Sequence, residues 1–159
     1  MGEHVTEFKH FINGEYCASQ SRKLFENRNP VDNSLIGMVH EGGAHEVDAA
    51  VAAAKAALSG PWAKLTQAER LALLHKVADR INERFDEFLD AECKDTGKPR
   101  SLASHIDIPR GAANFKTLSD MLINHPTESI ELDTPDGKGA INLGHRKPKG
   151  VIAVISPWN

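Results

Sequence analysis

Three observations predict an α/β fold. Short aromatic and β-branched runs between Phe8 and Val39 are separated by turn signals. From Ala44 the apolar spacing changes to a helical period, which recurs in three stretches. At residues 151–155 the run VIAVI returns to strand character, with apolar side chains on both faces as in a strand inside a sheet. The 159 residues are 40% hydrophobic and 26% charged with a net charge of −3, an ordinary globular composition whose lack of basic excess argues against nucleic acid.

In chain order, FKHFING and EYCAS flank Asn13-Gly14, a hairpin signal, and NPVDN supplies a Pro-led turn before the strand LIGMV. HEVDAAVAAAKAAL sets Val47, Ala50, Val51, Ala54 and Leu58 on one helical face, closed by Gly60-Pro61. Thr66 and Glu69 have the spacing of a capping box, and Leu71, Leu74, Val77, Ala78 and Ile81 then form an apolar stripe. The pattern restarts through Phe85, Phe88 and Leu89 and stops at DTGKP, where Gly97 suits a left-handed C-cap and Pro99 blocks continuation. A third helical stretch runs from about Ser101 to Asn124, with Pro109 tolerated only in a first turn or at a kink. After His125-Pro126, two weakly alternating strands are expected about a Pro-Asp-Gly turn, with no clear core face.

A parallel sheet needs a second strand and a crossover after VIAVI. Leaving Val151, Ile152, Val154 and Ile155 uncovered would forgo about 1.5–3 kcal/mol of burial for each. The sequence is therefore expected to be the opening part of a larger protein.

Few residues are candidates for chemistry. Cys17 and Cys93 form no C-x-x-C pair, and Cys93 falls within a helical pattern as a packed apolar residue. The eight histidines are scattered without a ligand spacing, so no metal site is expected. There is no G-x-G-x-x-G, P-loop or G-x-S-x-G, no apolar leader and no membrane-spanning run, and a cytoplasmic location is expected. Two places remain. At SPWN, Asn159 stands at a strand's carboxyl end, either as the cap of a following helix or as an uncharged N–H donor to an oxyanion. In SHIDIPRGAANF, Asp107, Arg110 and Asn114 share a helical face. Arg110 there either pairs with Asp107 on the surface or offers its planar fork to a substrate carboxylate.

The stretches FINGEY, NPVDNSLIG, EVDAAVAAAKAAL, GPWAKLTQAERLALLHKVADRI, DTGKP and KPKGVIAVISPWN together resemble the N-terminal part of an NAD(P)-dependent aldehyde dehydrogenase, in family order and over nearly the whole sequence. LASHIDIPRGAANF and TPDGKGAIN resemble the branch acting on 2-hydroxymuconic semialdehyde in catechol meta-cleavage, to which the 2-aminomuconic branch is similar.

The resemblance implies an incomplete Rossmann-like cofactor domain. Residues 1–125 would be its N-terminal hairpin and helical part, 126–148 a β-hairpin oligomerisation arm, and 149–159 the first strand of the nucleotide-binding sheet. It also implies NAD as cofactor, a small semialdehyde substrate and a homo-oligomer, with no nucleic-acid or membrane partner. By the same resemblance Asn159 is the catalytic oxyanion donor, Ile155, Ser156, Pro157 and Trp158 line the cofactor cleft, and Arg110 holds the substrate carboxylate. In the family a cysteine nucleophile forms a thiohemiacetal and then a thioester. That cysteine and the general-base glutamate are expected beyond Asn159, so residues 1–159 alone are expected to be inactive. Two alternatives stay open: a stand-alone oligomerisation module, and part of an aldehyde dehydrogenase of other specificity in which Arg110 is only structural.

Overall fold

The computed structural model describes residues 5–156; Pro157, Trp158 and Asn159, on which three of the expected site roles fall, lie outside the described residues. The N-terminal part is built from five short strands: β1 (Glu7–Phe8), β2 (His10–Ile12), β3 (Glu15–Cys17), β4 (Leu24–Arg28) and β5 (Leu35–His40). β2 and β3 pair antiparallel, with Ile12 opposite Glu15. The two residues between them, Asn13 at φ 55° and Gly14 at φ 84°, take the left-handed conformations that a tight hairpin turn requires. A second sheet has the order β1-β5-β4, with β1 parallel and β4 antiparallel to β5. β4, the run LFENR, lacks clear alternation and is not expected from the sequence; its pairing to β5 across the Pro-led turn creates it.

Buried polar groups fasten these strands to the helices. The Ser19 N–H donates to His40 Nδ1 at 3.1 Å, which makes Nδ1 the acceptor and leaves Nε2 to face Glu7 Oε2 at 3.4 Å. Glu46, in the first turn of α1 (Ala44–Ala57), accepts N–H bonds from Gln20 at 2.7 Å and Gly43 at 2.8 Å. Those two donors, Gln20 first, hold its carboxyl down at about 2.

The apolar face of α1 is not buried. Val47, Val51 and Leu58 are exposed, and the buried residue of this helix is Glu46. The apolar spacing correctly gives a helix, but spacing states which face needs a cover and not whether one lies alongside. Pro61 then opens the short α2 (Pro61–Lys64) at a position where its missing N–H has no cost.

The core lies among α3 (Gln67–Glu83), α4 (Phe85–Thr96), α5 (Arg100–His105) and α6 (Asp107–Ile123). Thr66 caps α3 as its spacing predicts: the Glu69 N–H donates to Thr66 Oγ1 at 3.3 Å, and the Thr66 N–H donates to Glu69 Oε2 at 2.7 Å. Leu71 and Ala78 of the expected stripe are buried, whereas Val77 is 40% exposed. Leu89, Ala103 and Ile108 form the central cluster, with Ile81, Phe85 and Cys93 packed against it. α4 ends at Gly97 (φ 73°), where a side chain would also collide with Pro30, its Cβ falling 2.9 Å from Pro30 Cγ. DTGKP and NPVDN therefore touch, and Asn27 Nδ2 donates to Asp95 Oδ1 at 2.6 Å beside that contact.

Beyond α6 an antiparallel hairpin is formed by β6 (Ser129–Leu132) and β7 (Ala140–Leu143), with Gly137 at φ 70° in its turn. All eight strand residues are exposed. The expected strand at residues 149–159 is absent from the described part: residues 151–156 lie outside any helix or strand, and Val154 is 83% exposed. A strand exists only through a hydrogen-bonded neighbour, and among the described residues none lies beside VIAVI.

Candidate functional site

Pro109 sets the local geometry around Arg110. It lacks an N–H, so α5 does not run through it. The chain bends at Ile106 and α6 restarts, with Pro109 in its first turn and the Arg110 N–H donating to the Ile106 carbonyl at 3.0 Å. The third expected helix is thus two helices. Arg110 stands exposed one turn into α6, and among the described residues its guanidinium has no hydrogen-bond or ion-pair partner.

Asp107 does not take up Arg110. Its Oδ2 lies 3.3 Å from Lys98 Nζ, which also sits 3.1 Å from Glu92 Oε1. Glu92 and then Asp107 raise the Lys98 pKa above the ordinary lysine value. Asp107 Oδ2 is buried and makes no directed hydrogen bond, so the Lys98 charge is what compensates it. Lys98 reaches this position because left-handed Gly97 turns the chain back across the end of α4. The αL glycine is visible in DTGKP, but the Lys98–Asp107 contact joins two helices across a bend and leaves no periodic trace.

Asn114, the third residue of the expected polar face, lines a groove of about 310 Å³ with Leu74, Phe115, Leu118, Ser119 and Leu122, between α3 and α6. The two helices are pinned by His75 Nε2 and Asp120 Oδ1 at 2.8 Å and by Lys116 Nζ and Asp79 Oδ1 at 2.6 Å. Ile155 is 91% exposed and Ser156 is exposed beside it. Among the described residues no hydrogen bond joins Arg110 to either of them, and none of the helices is long and apolar enough to cross a membrane.

The aldehyde dehydrogenase family model matches residues 16–159. The chain belongs to the aldehyde dehydrogenase family. A 2-hydroxymuconic semialdehyde dehydrogenase from Pseudomonas sp. strain CF600 is 63% identical over 155 residues, covering 98% of this chain and 32% of the relative. A 2-aminomuconic 6-semialdehyde dehydrogenase from Pseudomonas sp. is 46% identical over 155 residues, covering 98% of this chain and 31% of the relative. The chain thus spans about a third of the length of these curated relatives. Among solved structures, the NAD+ complex of an aldehyde dehydrogenase from Bacillus cereus has a TM-score of 0.75 and 37% identity, covering 79% of this chain and 26% of that one. The mixed α/β architecture is that of an N-terminal part of the aldehyde dehydrogenase fold.

Proposed function

We propose that this chain is part of an NAD-dependent dehydrogenase that oxidises 2-hydroxymuconic semialdehyde to the dicarboxylic acid in catechol meta-cleavage. The observation that carries this reading is the 63% identity to an enzyme named for that substrate, against 46% to one named for its 2-amino counterpart.

In this proposal Arg110 binds the substrate carboxylate as a bidentate fork. Its exposure and its lack of a partner among the described residues support that role, because they leave the guanidinium fork available to a carboxylate. Asn159 donates its amide N–H to the oxyanion formed at the aldehyde carbon, and Ile155, Ser156, Pro157 and Trp158 line the cofactor cleft. Residues 1–125 belong to the cofactor-binding domain and 149–159 to its first strand. Residues 126–148 are an arm that joins copies of the enzyme into a cytoplasmic homo-oligomer. The exposure of Ile130, Leu132, Ile141 and Leu143 on that arm supports a need for a covering surface.

The test is NADH formation by the complete enzyme that carries this chain, with the hydroxymuconic semialdehyde, the aminomuconic semialdehyde and a plain aliphatic aldehyde as competing substrates. The highest kcat/KM is expected for the first; preference for the aliphatic aldehyde overturns the reading. Replacing Asn159 by Ala is expected to lower kcat on the order of 10²–10³-fold.

A further inference from the structure

Arg110 and Asp107 stand three residues apart on α6, the spacing and order that favour an ion pair along a helix. Such a pair would tie up the guanidinium. The structure instead places Lys98 Nζ 3.3 Å from Asp107 Oδ2 and leaves Arg110 exposed. We infer that Lys98 is a positioning residue: by engaging Asp107, it keeps Arg110 free for the carboxylate of the substrate.

Three observations support this. Asp107 Oδ2 is buried without a directed hydrogen bond, so loss of Lys98 leaves a carboxylate oxygen whose nearest alternative cation on the same helix is Arg110. Lys98 is itself fixed from two sides, by Glu92 Oε1 at 3.1 Å and by the left-handed turn at Gly97, whose packing against Pro30 and Val31 leaves little freedom. Finally, the Lys98 and Asp107 side chains are each only 28% exposed, so solvent screens their pairing less than a surface bridge. Glu92 lies on α4 and does not share the helix of Arg110, as Asp107 does.

The inference rests on the reading of Arg110 as the carboxylate-binding residue, and the experiment separates the two. In the complete enzyme, KM and kcat are measured for 2-hydroxymuconic semialdehyde and for an aliphatic aldehyde without a carboxylate. The variants are Arg110→Ala, Lys98→Met, Asp107→Asn and the Lys98→Met/Asp107→Asn double. Arg110→Ala is expected to raise KM for the semialdehyde about 10- to 100-fold, as for a lost hydrogen bond to a charged group. Apparent affinity falls with the fraction of molecules whose arginine is free, so capture in about two thirds of them raises KM roughly threefold in Lys98→Met. The aliphatic aldehyde should show no such rise, and Asp107→Asn in the double variant should return KM to its starting value. That rescue is not expected from a merely structural lysine. An unchanged KM in Lys98→Met, or a rise that persists in the double variant, overturns the positioning role while the Arg110 reading stands. An unchanged KM in Arg110→Ala removes the Arg110 reading, and this inference with it.

Discussion

The helices α3–α6 and the segment from β6 to Ile155 are both rich in large apolar residues, yet they fare in opposite ways. Leu89 is 2% exposed; Ile155 is 91% exposed. The helices lie against one another and bury Leu71, Leu89, Ala103 and Ile108 between them, although Leu118 and Met121 at the far end of α6 are 63% exposed. The hairpin and VIAVI present apolar side chains on two faces and find, among the described residues, nothing to lie against. An apolar pattern therefore specifies a need for contact, and local topology decides whether the need is met.

Five substitutions, with Pro30→Ala as a rescue among them, test this contrast, beginning with the largest expected effect. Leu89→Ala should cost about 2–5 kcal/mol, the range for emptying a packed core site, whereas Ile152→Ala, at 65% exposure, should stay within about 0.5 kcal/mol. Urea unfolding midpoints of the two variants measure the difference, and equal losses would break the contrast. Gly97→Ala should cost about 1–2 kcal/mol for the left-handed backbone alone. The collision with Pro30 adds to that, so removing the ring by Pro30→Ala should recover part of the loss. Thr66→Ala should cost about 1 kcal/mol through the lost cap of α3, read as a lower melting temperature.

Glu46→Gln is distinguished by its dependence on pH. The folded carboxyl titrates at about 2 against an ordinary 4.5, so the stability it contributes is present above about 4.5 and is lost as pH falls through about 2. The gap between wild type and variant should be full at neutral pH, narrow between those values and vanish below them. A gap that does not change with pH would mean that the Gln20 and Gly43 N–H groups do not hold the charge.

Features fixed by neighbours in sequence were legible there. Asn13-Gly14 makes its turn, Thr66 and Glu69 make their box, and Gly97 takes the left-handed C-cap, because each is set by residues within a few positions. What depends on a distant partner was not. LFENR becomes a strand only through β5, the apolar face of α1 has no cover alongside among the described residues, and Asp107 prefers a lysine nine residues back to the arginine three residues on. The bend at Ile106 falls between these cases. Pro109 announced it, but whether the helix would kink or restart depended on Ala103 and Ile108 both packing onto Leu89.

The contact between Gly97 and the Pro30-Val31 turn, with its companion bond from Asn27 to Asp95, closes a loop of 68 residues. Loop closure costs entropy that grows with length, and the α3–α6 pair, pinned by His75–Asp120 and Lys116–Asp79, closes over shorter separations of 45 and 37 residues. Assembly of the chain is thus expected to be sequential, with the helical cluster and the local strand pairs forming first and the docking of one on the other last. A Gly97 substitution should speed detachment of the strands more than it slows the initial collapse.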